Sequence, residues 1–187
     1  MPRARDPHTR TRILDAAVPL FYERGVQAVG MAELAAAAAC GKNAMYREFA
    51  TKDGLVLAYL RLFGERRRES ERLAVTGAAD PRDAIRAIAL EVVAKSDRPG
   101  FRGCPLRNYL SELGHADDEV SLYAEQWLRE RRATVQSLVR ETEVPDPEVV
   151  ADQVWLALEG LWSSAAYPDR RRLGEAALRL IDDLMSA

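Results

Sequence analysis

Cysteine and histidine are both scarce in this sequence, and their scarcity excludes several kinds of site. The 187 residues include two cysteines, Cys40 and Cys104, and two histidines, His8 and His115. Two cysteines without CxxC spacing are too few for a disulfide framework, so we expect reduced thiols in a cytoplasmic protein. The sequence also lacks a glycine-rich phosphate loop, an HExxH motif and a GxSxG motif. We therefore expect a protein that is not an enzyme, with no catalytic residues, no cofactor and no metal site.

Long apolar runs and strand patterns are also missing. No segment approaches the roughly 18 consecutive apolar residues of a membrane span, so no membrane association is expected. The first dozen residues are rich in arginine and polar, unlike a secretory signal. Sustained alternation of apolar and polar residues is absent, whereas apolar residues recur at three- and four-residue spacing almost throughout. The sequence therefore predicts an all-α fold of about nine helices.

The charge is distributed unevenly along the chain. The net charge is −2, yet residues 1–72 hold 13 Lys and Arg against 9 Asp and Glu, and the remainder holds 14 against 20. A basic N-terminal third on an acidic body favours a nucleic-acid-binding segment attached to a body that does not bind nucleic acid. Two alternatives stay open for Arg3, Arg5, Arg10 and Arg12: a phosphate-contacting arm or a disordered leader.

Residues that typically begin or end helices recur along the chain. The first helix buries one apolar face and ends at Gly25, with a kink expected at Pro19. Thr51 is expected to cap a longer helix, and Asp-Pro pairs at residues 80–81 and 146–147 indicate two further helix starts. Glu65, Glu69 and Glu71 flank the three consecutive arginines Arg66, Arg67 and Arg68, and this mixture of charges predicts a solvated helix face.

Residues 31–54 have the pattern of two short helices joined by a tight turn. The second helix of such a pair can enter the major groove of DNA, where base edges present a distinguishable pattern of donors and acceptors. It needs polar groups on its outer side and apolar anchors on its inner side, and Met45 and Phe49 supply the anchors. Lys52 begins the next helix, where its charge and the backbone N–H groups of the helix N-terminus can contact a DNA phosphate. The candidate DNA-binding residues are Lys42, Asn43, Tyr46, Arg47 and Lys52.

These residues resemble the N-terminal pattern of the TetR family of bacterial transcriptional regulators. The matching positions are Ile13, Leu14, Ala16, Ala17, Phe21, Gly25, Leu34, Ala35, Lys42, Met45, Tyr46, Phe49, Lys52 and Leu55. The resemblance implies a three-helix helix-turn-helix DNA-binding domain at residues 1–50, with the motif at about 31–50. It also implies a helical regulatory, ligand-binding and dimerisation domain at residues 51–187. The sequence departs from the family at Ala39, where glycine is usual, and at Gly30 and Gly41, where a capping hydroxyl is usual.

The resemblance further implies a repressor that binds a palindromic operator as a homodimer and is released by a small, largely apolar effector. Candidate pocket residues are Phe101, Cys104, Tyr109, Tyr123, Trp127, Trp155 and Trp162. The helices at residues 149–165 and 173–185 are apolar on more than one face, which suits a dimer interface or, alternatively, a wider internal core. Cys104 is either a packed thiol or a redox or electrophile sensor. Activation in place of repression, and a helical ligand-binding protein that does not bind DNA, remain open.

Overall fold

The computed structural model describes residues 7–114 and 117–186, and this part of the chain folds into nine α-helices without a strand. A short 3-10 turn, Ser164–Ala166, follows the eighth helix. The all-α prediction is therefore confirmed. The helices are α1 (Thr9–Arg24), α2 (Met31–Ala37), α3 (Lys42–Glu48), α4 (Lys52–Thr76), α5 (Pro81–Ser96), α6 (Pro105–Leu113), α7 (Glu119–Arg140), α8 (Pro147–Ser163) and α9 (Arg170–Ser186).

The helix ends lie where the capping residues predict them. Gly25 follows α1 with a φ of 83°, and its N–H donates to the carbonyl of Phe21. The Thr51 hydroxyl accepts from the N–H of Gly54 at 3.1 Å, and the Asp80 carboxylate accepts from the N–H of Asp83 at 2.9 Å. Each cap satisfies a backbone group that a helix end leaves without an intrahelical partner. Pro19 lies inside α1 without ending it.

The chain divides into two compact units, and the first combines the N-terminal helices with α6. It comprises the described residues up to 63 and from 105 to 124. Within it, α1 packs on α2 and α3, and α2 packs on α3. The core of this unit includes the fully buried side chains of Ile13, Leu34, Met45 and Leu55. The helices α1, α2 and α3 thus share one hydrophobic core, and packing in this core fixes the orientation of α3.

The second unit comprises residues 64–104 and the described residues from 125 onwards. Here α5, α8 and α9 pack on one another. The approach of α9 to α5 requires glycine at position 174, because a Cβ there would lie 2.9 Å from Cγ1 of Val93. The helix α4 begins in the first unit and continues into the second. The functional boundary after residue 50 stays a prediction.

No helix in the described part of the chain combines the length and the apolar character that crossing a membrane requires.

Candidate functional site

The helix α3 presents two different faces. Lys42, Asn43, Tyr46 and Arg47 are exposed on one side, and the Tyr46 side chain is 44% exposed. Met45 and Phe49 are 0% and 3% exposed. The predicted burial of the two apolar anchors is confirmed. A polar face with a lysine, an arginine, an amide and a phenol can donate hydrogen bonds to phosphates and to base edges alike.

An arginine of α1 holds the C-terminal end of α3. Arg10 Nη1 donates to the carbonyl of Glu48 at 2.7 Å, and its guanidinium lies 4.1 Å from the centre of the Phe49 ring. A cation at a helix C-terminus satisfies a free carbonyl and opposes the negative end of the helix dipole. Arg10 therefore positions α3 within this unit. Arg3 and Arg5 lie outside the described residues.

The turn between α2 and α3 is built without glycine at its tightest position. Ala39 has a φ of 48°, in the left-handed region, and the N–H of Cys40 donates to the carbonyl of Ala35 at 2.9 Å. Gly41 then precedes α3 in an extended conformation and supplies no side-chain cap. The turn geometry of a helix-turn-helix is thus formed despite both departures from the family pattern.

Lys52 differs from the other four candidate DNA-binding residues in its surroundings. It is half-buried, and its Nζ donates to the carbonyl of Gln27 at 3.3 Å. The same loop is held from another side by Glu112 of α6, whose carboxylate accepts from the N–H of Val26 at 3.0 Å and of Gln27 at 2.6 Å. Lys52 therefore braces the loop between α1 and α2, and any phosphate contact must share its ammonium group with Gln27.

The second unit contains a small cavity lined by aromatic side chains. Its volume is about 20 Å³, which is room for roughly one water molecule. Of the seven predicted pocket residues, four line it: Cys104, Trp127, Trp155 and Trp162. Aliphatic side chains complete the wall, among them Ile88, Leu128, Val135 and Leu158. Cys104 is 4% exposed, which supports the interpretation of a packed thiol, since reactive thiols are partly exposed.

The structure does not bring the other three predicted pocket residues into this wall. Phe101 supports it from behind, with its ring centre 5.8 Å from that of Trp162. Tyr109 and Tyr123 belong to the first unit. The Tyr109 hydroxyl lies 3.5 Å from Asp118 Oδ1, and burial raises the pKa of Tyr109 above its ordinary value. The Tyr123 ring lies 5.7 Å from the Arg61 guanidinium.

Charged residues that the sequence reasoning missed also line the cavity. The predicted solvated face around Arg66–Arg68 is wrong for Arg67, which is 5% exposed, as is Glu71. Arg67 Nε donates to Glu71 Oε1 at 2.6 Å, and Arg131 Nη1 donates to Glu71 Oε2 at 2.9 Å. The signal was present in the spacing, because steps of four and three residues from buried Val56 and Leu60 reach positions 64, 67 and 71.

The cavity and the described surface contain no set of metal ligands. In residues 7–114 and 117–186, no three His, Cys, Asp or Glu side chains lie close enough together to hold a metal ion.

A family model of known proteins matches the N-terminal helices. Residues 13–59 match the family model described as bacterial regulatory proteins, tetR family. Uncharacterized HTH-type transcriptional regulators from two strains of Mycobacterium tuberculosis are 42% identical to this chain over 62 residues, 33% of this chain. The match spans only 28% of the length of these relatives.

Solved structures share the fold over almost the whole chain. A TetR-family transcriptional regulator from Streptomyces coelicolor has a TM-score of 0.91 at 24% identity, covering 96% of this chain and 95% of its own. AibR in complex with isovaleryl coenzyme A and operator DNA has a TM-score of 0.70 at 18% identity, covering 91% and 96%. The match to the tetR family model over residues 13–59 and the fold shared with solved TetR-family transcriptional regulators agree with each other.

Proposed function

We propose that this chain regulates transcription by binding operator DNA through the exposed face of α3. The observation that carries the proposal is the division of α3 between exposed Lys42, Asn43, Tyr46 and Arg47 and buried Met45 and Phe49. A helix anchored on one side and polar on the other fits the major groove of double-stranded DNA. Lys42 and Asn43, at the N-terminal end of α3, are the candidates for base contacts, and Tyr46 and Arg47 reach bases or phosphates beside them.

The proposed DNA-binding form is a homodimer assembled through α8 and α9. Three large apolar side chains are exposed on these two helices: Val149 (57%) and Leu156 (68%) on α8, and Leu180 (49%) on α9. Val149, Leu156, Gly160 and Ser163 follow one face of α8, and an open groove of about 490 Å³ lies between α8 and α9. A second copy can fill it, because a two-fold axis presents the same helices to each other. A two-fold dimer matches a palindromic operator.

The proposed signal is a small molecule bound in the aromatic cavity of the second unit. AibR, which has the same fold, is held in one structure with isovaleryl coenzyme A and operator DNA. For this chain, the effector would favour a conformation whose two α3 helices are wrongly spaced for the operator, so that binding releases the DNA. The usual consequence of such release is relief of repression.

The test selects bound fragments from a random DNA pool and measures the affinity of the winner by fluorescence anisotropy at two salt concentrations. We expect a palindromic site whose half-sites lie about one helical turn, or a multiple, apart. The affinity should fall as salt rises, because phosphate neutralisation releases counterions. Tyr46→Ala and Arg47→Ala should each weaken binding by about tenfold or more, as the loss of a base or phosphate contact does.

A matched arginine outside α3 provides the control. Arg129 lies on α7, and its side chain is 65% exposed compared with 50% for Arg47. Arg129→Ala should leave the affinity unchanged. If no sequence is enriched and the Arg47 and Arg129 variants behave alike, the proposed DNA-binding role is wrong, and the chain is a helical ligand-binding protein with a helix-turn-helix fold.

A further inference from the structure

The cavity of the second unit is bordered by a buried cluster of one carboxylate and two guanidinium groups. The side chains of Arg67 and Glu71 are 5% and 7% exposed, and that of Arg131 is 17% exposed. Both arginines donate to the same Glu71 carboxylate. The cluster therefore carries one positive charge in excess. Glu159, a second carboxylate, also lines the cavity, so the case for a ligand depends on the hydrogen-bond donors of the two guanidinium groups and not on their net charge.

Two donors of this cluster have no acceptor. Arg67 Nη1 and Arg131 Nε are buried and have no hydrogen-bond partner among the described residues. A buried donor left unpaired costs about 1–3 kcal/mol, and more on a charged group. Two unpaired guanidinium N–H groups at one cavity thus favour a ligand with a hydrogen-bond acceptor there.

Each guanidinium group lies over the ring of a tryptophan. The Arg67 guanidinium lies 4.3 Å from the centre of the Trp162 ring, and that of Arg131 lies 5.6 Å from the centre of the Trp127 ring. A cation–π contact of this kind does not replace a hydrogen-bond acceptor, so the unpaired N–H groups still need one. The remaining wall is largely apolar. The site thus combines charged donors with a surface for an apolar group.

We propose that this cavity binds a small monocarboxylate whose carboxylate accepts from Arg67 Nη1 and Arg131 Nε and whose apolar body packs on the tryptophan rings. The proposal rests on the proposed function, since it names the chemical class of the effector. With Glu159, a half-buried carboxylate in the same wall, the two arginines face two carboxylates, which disfavours a dianion more strongly than a monoanion. Paired guanidinium donors and a carboxylate make strong, directional hydrogen bonds.

Ligand entry requires the wall to move. A volume of about 20 Å³ is smaller than any carboxylic acid with an apolar body. Trp127 and Trp162 are 3% and 7% exposed, whereas Trp155 on α8 is half-buried. The side of the cavity formed by Trp155 is therefore the one that opens. Such an opening is the conformational change that a ligand-responsive regulator needs.

The chain carries its own reporter for the experiment. Its only three tryptophans, Trp127, Trp155 and Trp162, all line this cavity, so tryptophan fluorescence of the full chain reports ligand binding there. The titrants are benzoate, phenylacetate and cyclohexanecarboxylate, each compared with its primary amide. We expect a saturable change in fluorescence with at least one acid. Its amide should bind at least about tenfold more weakly, because the amide carries no charge.

Conservative substitutions separate binding from folding. Arg67→Lys keeps a cation beside Glu71 but removes the Nη1 donor. The variant should bind the acid about tenfold more weakly, because a lysine cannot reproduce the paired donors of a guanidinium group. Arg132→Lys on the same α7 as Arg131 is the control, because the Arg132 side chain is 47% exposed and donates to Asp152. The control should bind like the wild type.

Three results would overturn the proposal: no saturable response to any of the three acids, equal binding of an acid and its amide, or equal losses in the Arg67 and Arg132 variants. DNA binding by the same preparations is measured separately. Operator binding without acid binding overturns the effector class alone, whereas acid binding without operator binding supports the site and contradicts the proposed regulatory function.

Discussion

Ala39 occupies a backbone conformation that an L-residue rarely adopts. Its φ of 48° lies in the left-handed region, where the Cβ crowds the following carbonyl oxygen and costs about 1–2 kcal/mol. The turn from α2 into α3 requires this conformation, because the chain must reverse between Ala38 and Gly41. The turn therefore stores strain next to the helix proposed to bind DNA.

Replacing Ala39 with glycine should stabilise the protein. Ala39→Gly relieves the strain of the left-handed conformation, but glycine also makes the unfolded chain more flexible, which opposes folding. The net increase in the free energy of unfolding should be about 0.5–1 kcal/mol. The measurement is the free energy of unfolding in urea. Ala36→Gly is the matched control, because Ala36 is exposed inside α2 and glycine there should cost about 1 kcal/mol. Changes of the same sign in both variants would contradict the argument.

Individual residues of α3 were predictable because their environment follows from spacing alone. Met45 and Phe49 lie four residues apart, so one turn of helix carries both to the same buried side. The charge of Arg67 masked an equally regular spacing, because composition favours solvent for an arginine between glutamates. Burial of Arg67 depends on Glu71, whose other oxygen accepts from Arg131, 60 positions further along the chain, and on the Trp162 ring beside Arg67. No local pattern contains that information.

The start of α7 depends on one carboxylate. Asp118 Oδ1 accepts from the N–H groups of Val120 and Ser121, both at 2.9 Å, and Oδ2 accepts from the Ser121 hydroxyl at 2.8 Å. The bonds from Ser121, first from its backbone N–H and then from its hydroxyl, lower the pKa of Asp118 below its ordinary value. Asp118 is thus the N-cap of α7 and is stabilising in its ionised form.

Removing this cap should cost stability in a pH-dependent way. Asp118→Ala should lower the free energy of unfolding by about 1 kcal/mol at neutral pH. Because the pKa is lowered on folding, the stabilisation is present above the unfolded value of about 3.8 and is lost as the pH falls through the folded value. The free energy of unfolding of the wild type and of Asp118→Asn is measured in urea from neutral to acidic pH. The difference between the two free energies should shrink below about pH 4. Asp117→Asn, at the exposed neighbouring position, should show no such trend.

Helix positions were more predictable than what the helices pack against. Caps at Thr51, Asp80 and Gly25 are local, since each depends on residues within one turn. The division of the aromatic candidates between two units is not local. Tyr109 and Trp127 lie on helices of similar character, yet they belong to different units because the chain leaves the second unit at Pro105 and returns at Glu125. Periodicity identifies a buried side chain without identifying its neighbours.

The proposed dimer depends on the exposed apolar stripe of α8. Leu156→Glu should convert the homodimer to a monomer at micromolar concentration. In the proposed two-fold interface a carboxylate from each protomer would be buried, which is unfavourable. Sedimentation velocity measures the change. Leu73→Glu is the matched control, with a leucine that is 57% exposed on α4 compared with 68% for Leu156. The control should remain a dimer. A monomeric wild type, or dissociation of both variants, would contradict the proposed interface.

The carboxylate of Glu112 has a consequence for communication along the chain. Cys104 lines the cavity, the next residue begins α6, and Glu112 near the end of α6 accepts from two N–H groups of the loop that leads into α2. Hydrogen bonds to a charged group contribute about 1.5–3 kcal/mol each. Allosteric coupling free energies are typically about 1–3 kcal/mol. A single hydrogen bond to Glu112 is therefore comparable in free energy with the coupling that the proposed regulation requires.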